Sequence, residues 1–487
     1  MVSDVLLQCG SILFATTVYA EAPQILAGLL VLPAVAALLQ PKTEQQTAVK
    51  PPSKADANGK PTGSQDGSNV DDMDSLPIRP FVTHYRGAMM IVTCCTILSV
   101  DFPVFPRRFA KTESFGTSLM DMGVGSFVFA AGIVAARQQL KEEFGKAPPI
   151  MAARMKTAIR HSLPLVALGL IRLWSVKGLE YAEHVSEYGV HWNFFFTLAL
   201  LPPFTALLQP IIRVVPSTGT LAFVIAICYE LVLYLTPDLK RYIILSPRIE
   251  GDWFSQNREG VFSFVGYLAI FIAGVGIGEG ILPRDAEILS PAEARAAEKD
   301  PLDEDEAWLS EVLGHQPDEQ PKANDEPAPT KIKPEPWPKW AVVHLAKWSG
   351  LWFIFSVWAM WRYGPRLFVS RRMANLAYVV WVCAFNSAQL LLFCGIEWLM
   401  FPNLYKAKDR TTERLRINDA TSRVLHAFNR NGLALFLLAN LLTGVINMSM
   451  QTWHMGDVEA MAVLVAYIGT LCAVGLALDH YDISIKL

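Results

Sequence analysis

The sequence predicts an all-α fold: a polytopic transmembrane helical bundle of about 12 to 13 spans. Three observations carry this expectation. Of 487 residues, 52% are hydrophobic and only 18% are charged. The mean hydropathy is +0.29. Apolar runs of about 20 residues, the length a helix needs to cross a bilayer, recur along the whole chain. A net charge of only -3 gives no global basic field, so nucleic acid is not an expected partner. The seven cysteines all lie in apolar segments without a CxxC pair, and read as small core residues, not as a disulfide frame or a zinc site.

Taken in order, the apolar runs place spans near 4–20, 23–40, 81–100, 117–137, 159–176 and 190–208, then near 215–236, 260–281, 340–361, 374–400, 428–447 and 459–478. The first two are separated only by Glu21 and Ala22 and form a broken hairpin or two short spans. Met1 to Ala20 lacks a basic region ahead of its apolar stretch, so membrane insertion is expected to begin there without a cleaved signal peptide. Residues 41–77 and 284–338 are rich in Pro, Asp, Glu, Lys and small residues. Neither can bury enough surface to offset chain entropy, so both are expected to be disordered loops of one membrane-embedded domain, 1–487. Lys and Arg are modestly in excess in the loops at 41–80, 137–158, 209–214 and 401–427. By the positive-inside rule this puts Asp101 and the loop after it on the lumenal or exterior side.

That loop is the first candidate for chemistry. DFPVFPRRFAKTESFGTSLMDMGVGSFVF, Asp101 to Phe129, joins two apolar segments yet contains Asp101, Arg107, Arg108, Lys111, Glu113 and Asp121. Pro103 and Pro106 deny it a continuous helix, and irregular, charged backbone in a membrane protein survives only where protein or water surrounds it. Arginine pairs suit phosphate, and a carboxylate near a lysine can act as general base toward a hydroxyl. A basic cluster seated at lipid headgroups is the equally balanced alternative. Ser118-x-x-Asp121 fits a helix capping box, so capping is read ahead of catalysis for Asp121.

A second constellation, LEYAEHVSEYGVHWNFFF, gathers Glu180, Glu183, His184, Glu187, His191 and Asn193 ahead of a span. His191 with Asn193 could activate a hydroxyl, or the group could be an interfacial aromatic belt with polar neighbours. No HExxH spacing is present, and no metal is expected. Glu230, Asn386, Gln389, Glu397, Asn440 and Asn447 lie inside apolar runs. Interhelical hydrogen bonding is the default for the amides, while the two glutamates are better placed to line a site. The glycines at 274, 276, 278 and 280 end an apolar run and read as close helix packing, not as a nucleotide loop. No GxSxG, SxxK or Walker pattern occurs in a suitable context, and no His is followed five positions on by Asp. The residues alone therefore leave transporter and lipid-modifying enzyme open.

The Asp101 to Phe129 run closely resembles the signature of the PIG-W family, the inositol acyltransferases of glycosylphosphatidylinositol (GPI) anchor synthesis, whose fungal members are known as GPI-anchored wall protein transfer proteins. Four further blocks are similar to the same family: EYGVHWNFFFTLALLP, NREGVFSFVGYLAIF, SRRMANLAYVVWVCAFNSAQLLLF and NRNGLALFLLANLLTGVINMSMQT. The resemblance implies a multi-pass enzyme of the endoplasmic reticulum membrane with about thirteen spans and lumenal catalytic loops. It would transfer a long acyl chain, palmitoyl by expectation, from acyl-CoA to an inositol hydroxyl of glucosaminyl-phosphatidylinositol, with acyl-CoA as co-substrate and no other cofactor. The aspartate of DFP falls on Asp101 and the lysine of FAK on Lys111, and these two are the catalytic pair the resemblance nominates. Family members carry a further amino-terminal segment and span, so the resemblance also implies that this chain begins late.

On this reading Asp101 takes the proton from the attacking hydroxyl, and Arg107 and Arg108 are the candidates for phosphate of CoA or lipid. His191 is a reserve base and Asn193 a positioning residue, with Asn257, Arg258, Asn386 and Asn429 as polar lining. The competing classes are a transporter, which would show inverted repeats and midplane charge, and a non-catalytic scaffold of the anchor-assembly machinery.

Overall fold

The computed structural model describes residues 2–39, 76–143, 151–177, 187–212, 214–283, 339–363, 368–405 and 410–485. Every regular element among them is helical. We number the helices α1 (Val2–Thr16, with a π turn at Leu6–Gly10), α2 (Pro23–Leu39), α3 (Pro80–Ser99), α4 (Leu119–Glu143), α5 (Met151–Lys177) and α6 (Phe194–Ile212). They continue as α7 (Thr218–Leu235), α8 (Pro237–Leu245), α9 (Trp253–Gln256), α10 (Arg258–Ile281), α11 (Lys339–Tyr363) and α12 (Leu376–Met400), then α13 (Arg410–Ala420), α14 (Arg423–Arg430), α15 (Gly432–Ser449) and α16 (Asp457–His480).

Nine of these, namely α3, α4, α6, α7, α10, α11, α12, α15 and α16, are long and apolar enough to cross a membrane. The three other expected spans exist as helices but fall short of that standard. α1 and α2 are short, and α5, although 27 residues long, carries Arg154, Lys156, Arg160 and Arg172. The expected loop at 284–338 lies outside the described residues, as does that at 41–77 apart from Leu76 and Pro77, whose carbonyls accept hydrogen bonds from Arg137.

α10 is the axis of the bundle, packed on α4, α7, α11 and α12. In a bilayer, apolar side chains gain little by leaving lipid, so helices associate through close packing and small residues. The glycines of α10 supply this. Added Cβ atoms at Gly132 and Gly274 would collide with the carbonyls of Phe271 and Phe129, so α4 and α10 touch backbone to backbone. Gly276 meets the backbone of Gly219 in α7, and Gly278 meets Ala136 in α4. The close-packing reading of the glycine run holds. On the other flank, Phe223 of α7 stacks on Trp352 of α11 with ring centroids 3.7 Å apart and planes 13° from parallel.

Alternation of the long helices brings the end of α3, the starts of α4, α6, α10 and α12, and the junction of α15 with α16 to one end of the bundle. Segments 100–118, 187–193, 246–257 and 368–375 meet there, and they hold the candidate site.

Candidate active site

Asp101 sits in the turn that ends α3. The turn is closed by Asp101 N donating to Leu98 O (3.1 Å) and Phe102 N donating to Ser99 O (3.1 Å), and is pinned by the fully buried rings of Phe102 and Phe105. Asn447, near the end of α15, donates its Nδ2 to Asp101 Oδ2 at 2.8 Å. Burial pushes the Asp101 carboxyl above its ordinary value, opposed by the Asn447 hydrogen bond and by Arg107. Arg107 folds back on its own turn, donating to the carbonyls of Val100 (2.8 Å) and Phe102 (3.4 Å), with its guanidinium 4.4 Å from the ring centroid of Trp453. Arg108 pairs with Glu21 and donates to Ala20 O at 2.6 Å, which fastens the amino-terminal hairpin to this loop.

Lys111 belongs to a second network. Its Nζ is 2.7 Å from Glu187 Oε1, and the Lys111 side chain remains 43% exposed. Arg371 Nη2 lies 3.4 Å from the same Glu187 oxygen, and its Nε donates to Asp121 Oδ1 at 2.8 Å. Burial disfavours the charge on Arg371, but Glu187 and Asp121 outweigh it, and the guanidinium holds its proton well beyond the ordinary range. Asp121 is completely buried and also accepts from Thr112 N (3.1 Å), Thr112 Oγ1 (2.7 Å) and Ser118 Oγ (2.9 Å). The capping contact read from Ser118-x-x-Asp121 is present, with Asp121 N donating to Ser118 Oγ at 3.1 Å. It is one part of a larger role, because Asp121 is the anchor for the Arg371 that the sequence reading did not single out.

Asp101 and Lys111 therefore share one end of the bundle but not one partner. Asp101 is held by α15, whereas Lys111 is held by the 187–193 segment and, through Glu187 and Arg371, by the segment before α12.

The other nominated residues divide by accessibility. Gly189 has φ +131°, open to glycine, and an added Cβ there would strike the backbone of Asn257. This close approach seats the 187–193 segment on the start of α10, where Asn257 Oδ1 accepts from His191 N at 2.8 Å. The His191 ring reaches Gln256 Oε1 at 3.1 Å. Asn193 Oδ1 accepts from Phe195 N (3.1 Å) at the start of α6, and its Nδ2 donates to Gly169 O (2.9 Å). Arg258 is buried and spends its guanidinium on the carbonyls of Ile243, Ser246 and Pro247. Asn386 is buried against Tyr85, whose hydroxyl donates to Asn386 Oδ1 at 2.7 Å, while Asn429 Oδ1 is buried without a hydrogen-bond partner. Glu180, Glu183 and His184 lie outside the described residues. Beside the site, α5 and α6 enclose an apolar groove of about 580 Å³ whose rim includes His191, Trp192 and Trp253.

Long apolar helices, with a cluster of charged groups at one end and a lateral apolar groove, define a multi-pass membrane protein. The GWT1 family model matches residues 1–478, and the chain belongs to the GWT1 family. Among its relatives, GPI-anchored wall transfer protein 1 of Aspergillus fumigatus is 46% identical over 485 residues, covering 99% of this chain and 88% of that protein. The proteins of the same name from Gibberella zeae (44% over 491 residues) and Saccharomyces cerevisiae (36% over 488) cover 99% of this chain and 88% of their own length. This is the family that the five sequence blocks indicated.

Proposed function

We propose that this chain is an acyl-CoA-dependent O-acyltransferase of GPI-anchor biosynthesis in the endoplasmic reticulum membrane. It transfers a long acyl chain, of palmitoyl length, from acyl-CoA to an inositol hydroxyl of glucosaminyl-phosphatidylinositol. The observation that carries the reading is Asp101, a half-buried carboxylate at the aqueous end of the bundle, one oxygen held by Asn447 and its proton affinity raised by desolvation. A base of that kind suits a hydroxyl nucleophile near neutral pH. The relatives' name, GPI-anchored wall transfer protein 1, supports a role in GPI-anchor biosynthesis.

In the step we envisage, Asp101 accepts the hydroxyl proton as the inositol oxygen adds to the thioester carbonyl. The tetrahedral centre collapses, the carbon–sulfur bond breaks, and the departing thiolate recovers the proton from Asp101 as CoA. One ester forms for each thioester consumed. Lys111, held by Glu187 at the same end, supplies positive charge against the negative charge that develops. The acyl tail lies in the groove between α5 and α6, where each methylene removed from water is stabilised by about 0.8 kcal/mol. Arg108, with half its side chain exposed, is the arginine most able to exchange its partner for a phosphate.

Purified protein incubated with labelled acyl-CoA and glucosaminyl-phosphatidylinositol is expected to yield acylated glycolipid and free CoA in equal amounts. Recovery of both substrates unchanged, or release of CoA without an inositol ester, overturns the proposal.

A further inference from the structure

The side-chain carbonyl of Asn447 is buried and has no hydrogen-bond partner. Its orientation follows from chemistry. A carboxylate only accepts hydrogen bonds, so Asn447 must present its amide nitrogen to Asp101, and its oxygen then points away from that contact. An unmet buried acceptor forfeits its hydration without a replacement bond, and in a native protein it calls for an explanation. Here it stands beside the carboxylate nominated as base, at the end of the bundle where the charged groups gather. The two side chains come from segments 346 residues apart, yet act as one unit: a carboxylate and an amide carbonyl fixed side by side through a single hydrogen bond.

Two adjacent acceptors match two adjacent donors. We propose that Asp101 and Asn447 form an acceptor pair that reads neighbouring hydroxyls of a cyclic polyol, Asp101 taking the hydroxyl that is acylated and Asn447 Oδ1 the one beside it. The inference rests on the acyl-transfer reading and adds to it the basis of acceptor choice: a vicinal diol on a ring, as opposed to a lone alcohol. It also makes Asn447 a substrate-binding residue that supports Asp101 when the site is empty and shares the substrate with it when the site is full.

The test uses the full chain with labelled acyl-CoA and a set of acceptors: glucosaminyl-phosphatidylinositol, and analogues in which one ring hydroxyl adjacent to the acylated one is replaced by hydrogen. For the wild type, KM should rise about tenfold for the analogue that lacks the hydroxyl read by Asn447. Asn447→Ala should raise KM for the natural acceptor by about the same factor, leave KM for acyl-CoA unchanged, and show no further loss with that analogue. Equal KM values for natural and deoxy acceptors in the wild type overturn the pair even if the variant does not fold, and so do losses that add. A wild type that transfers no acyl group overturns the underlying reading, and the pair with it.

Discussion

The two ends of the bundle both bury charge, and they do so in opposite ways. At the end away from Asp101, Glu397 is buried and both its oxygens are met: Oε2 accepts from Phe81 N and Oε1 from the Tyr405 hydroxyl, each at 2.7 Å. Arg79 donates to the carbonyls of Ile281 (3.1 Å) and Pro283 (2.7 Å) and lies 4.7 Å from the Tyr405 ring centroid. This cluster is a closed joint between α3, α10 and α12. At the candidate site, Asp101 is half-buried, Lys111 is exposed, and Asn447 keeps an unmet acceptor. Buried charge alone therefore does not mark a functional site in this fold. What separates these two clusters is access: both Glu397 oxygens are met inside the protein, whereas beside Asp101 an unmet acceptor stands next to an accessible charge.

The contrast can be broken by mutation. Asp101→Asn should cut inositol acylation in microsomes about 10²-fold or more, the scale of a lost general base, with protein level unchanged. Retained acylation would remove Asp101 from the mechanism. Glu397→Ala, which strands the Phe81 amide and the Tyr405 hydroxyl, should cost about 1–3 kcal/mol for each orphaned donor. That loss should appear as a lower melting temperature in detergent while turnover per folded molecule stays within about twofold of wild type, since no general acid–base or charge-stabilising group is removed. Lower turnover at full stability would mean the closed joint takes part in catalysis. Lys111→Ala should reduce turnover about tenfold, less than the loss of a buried oxyanion donor, because this charge is exposed and shared with Glu187. It should barely change melting, because an exposed ion pair contributes about 0–1 kcal/mol. If only melting falls, the lysine is structural.

The smallest effect sharpens the comparison through pH. The Asp101 carboxyl is raised by burial, and it must be ionised to accept a proton. Activity should therefore fall as pH drops through that raised value, an acid limb above the ordinary carboxylate range. Asn447→Ala removes a hydrogen bond that lowers the value, so the limb should move to higher pH. The other group lowering it is Arg107, and the turn that Arg107 packs against carries His454 beside Trp453. An Asp101→Asn background with the same residual limb would take the titration away from Asp101.

Much of the fold was legible because it depends on local pattern. Apolar runs located every long helix, and the glycine spacing in α10 foretold close packing. α5 stands apart: its 27 residues are long enough for a span, while Arg154, Lys156, Arg160 and Arg172 weaken its apolar character. The candidate site was legible only in its local parts. The Ser118–Asp121 cap is a three-residue relation and could be read. The Arg371 contact to Asp121 spans 250 residues and the Asn447 contact to Asp101 spans 346, and no periodicity encodes such pairings. Glu230 and Glu397 show the converse. Read as candidates to line a site, they are consumed by Lys240 with the Leu376 amide, and by Tyr405 with the Phe81 amide. Position in an apolar run reveals that a polar group needs a partner, not whether the partner is protein or ligand.

The seam between α4 and α10 sets how this machine can move. Where backbones meet with no side chain between them, no rotamer can absorb a displacement, so the two parallel helices travel together. The segments they begin carry Asp121 and Asn257, through which Arg371 and the His191 loop are held. Those parts keep one fixed spacing, like the stationary jaw of a clamp. α15, in which only Leu435 and Ala439 are buried, is not part of that seam and brings Asn447 to Asp101 as the other side of the grip.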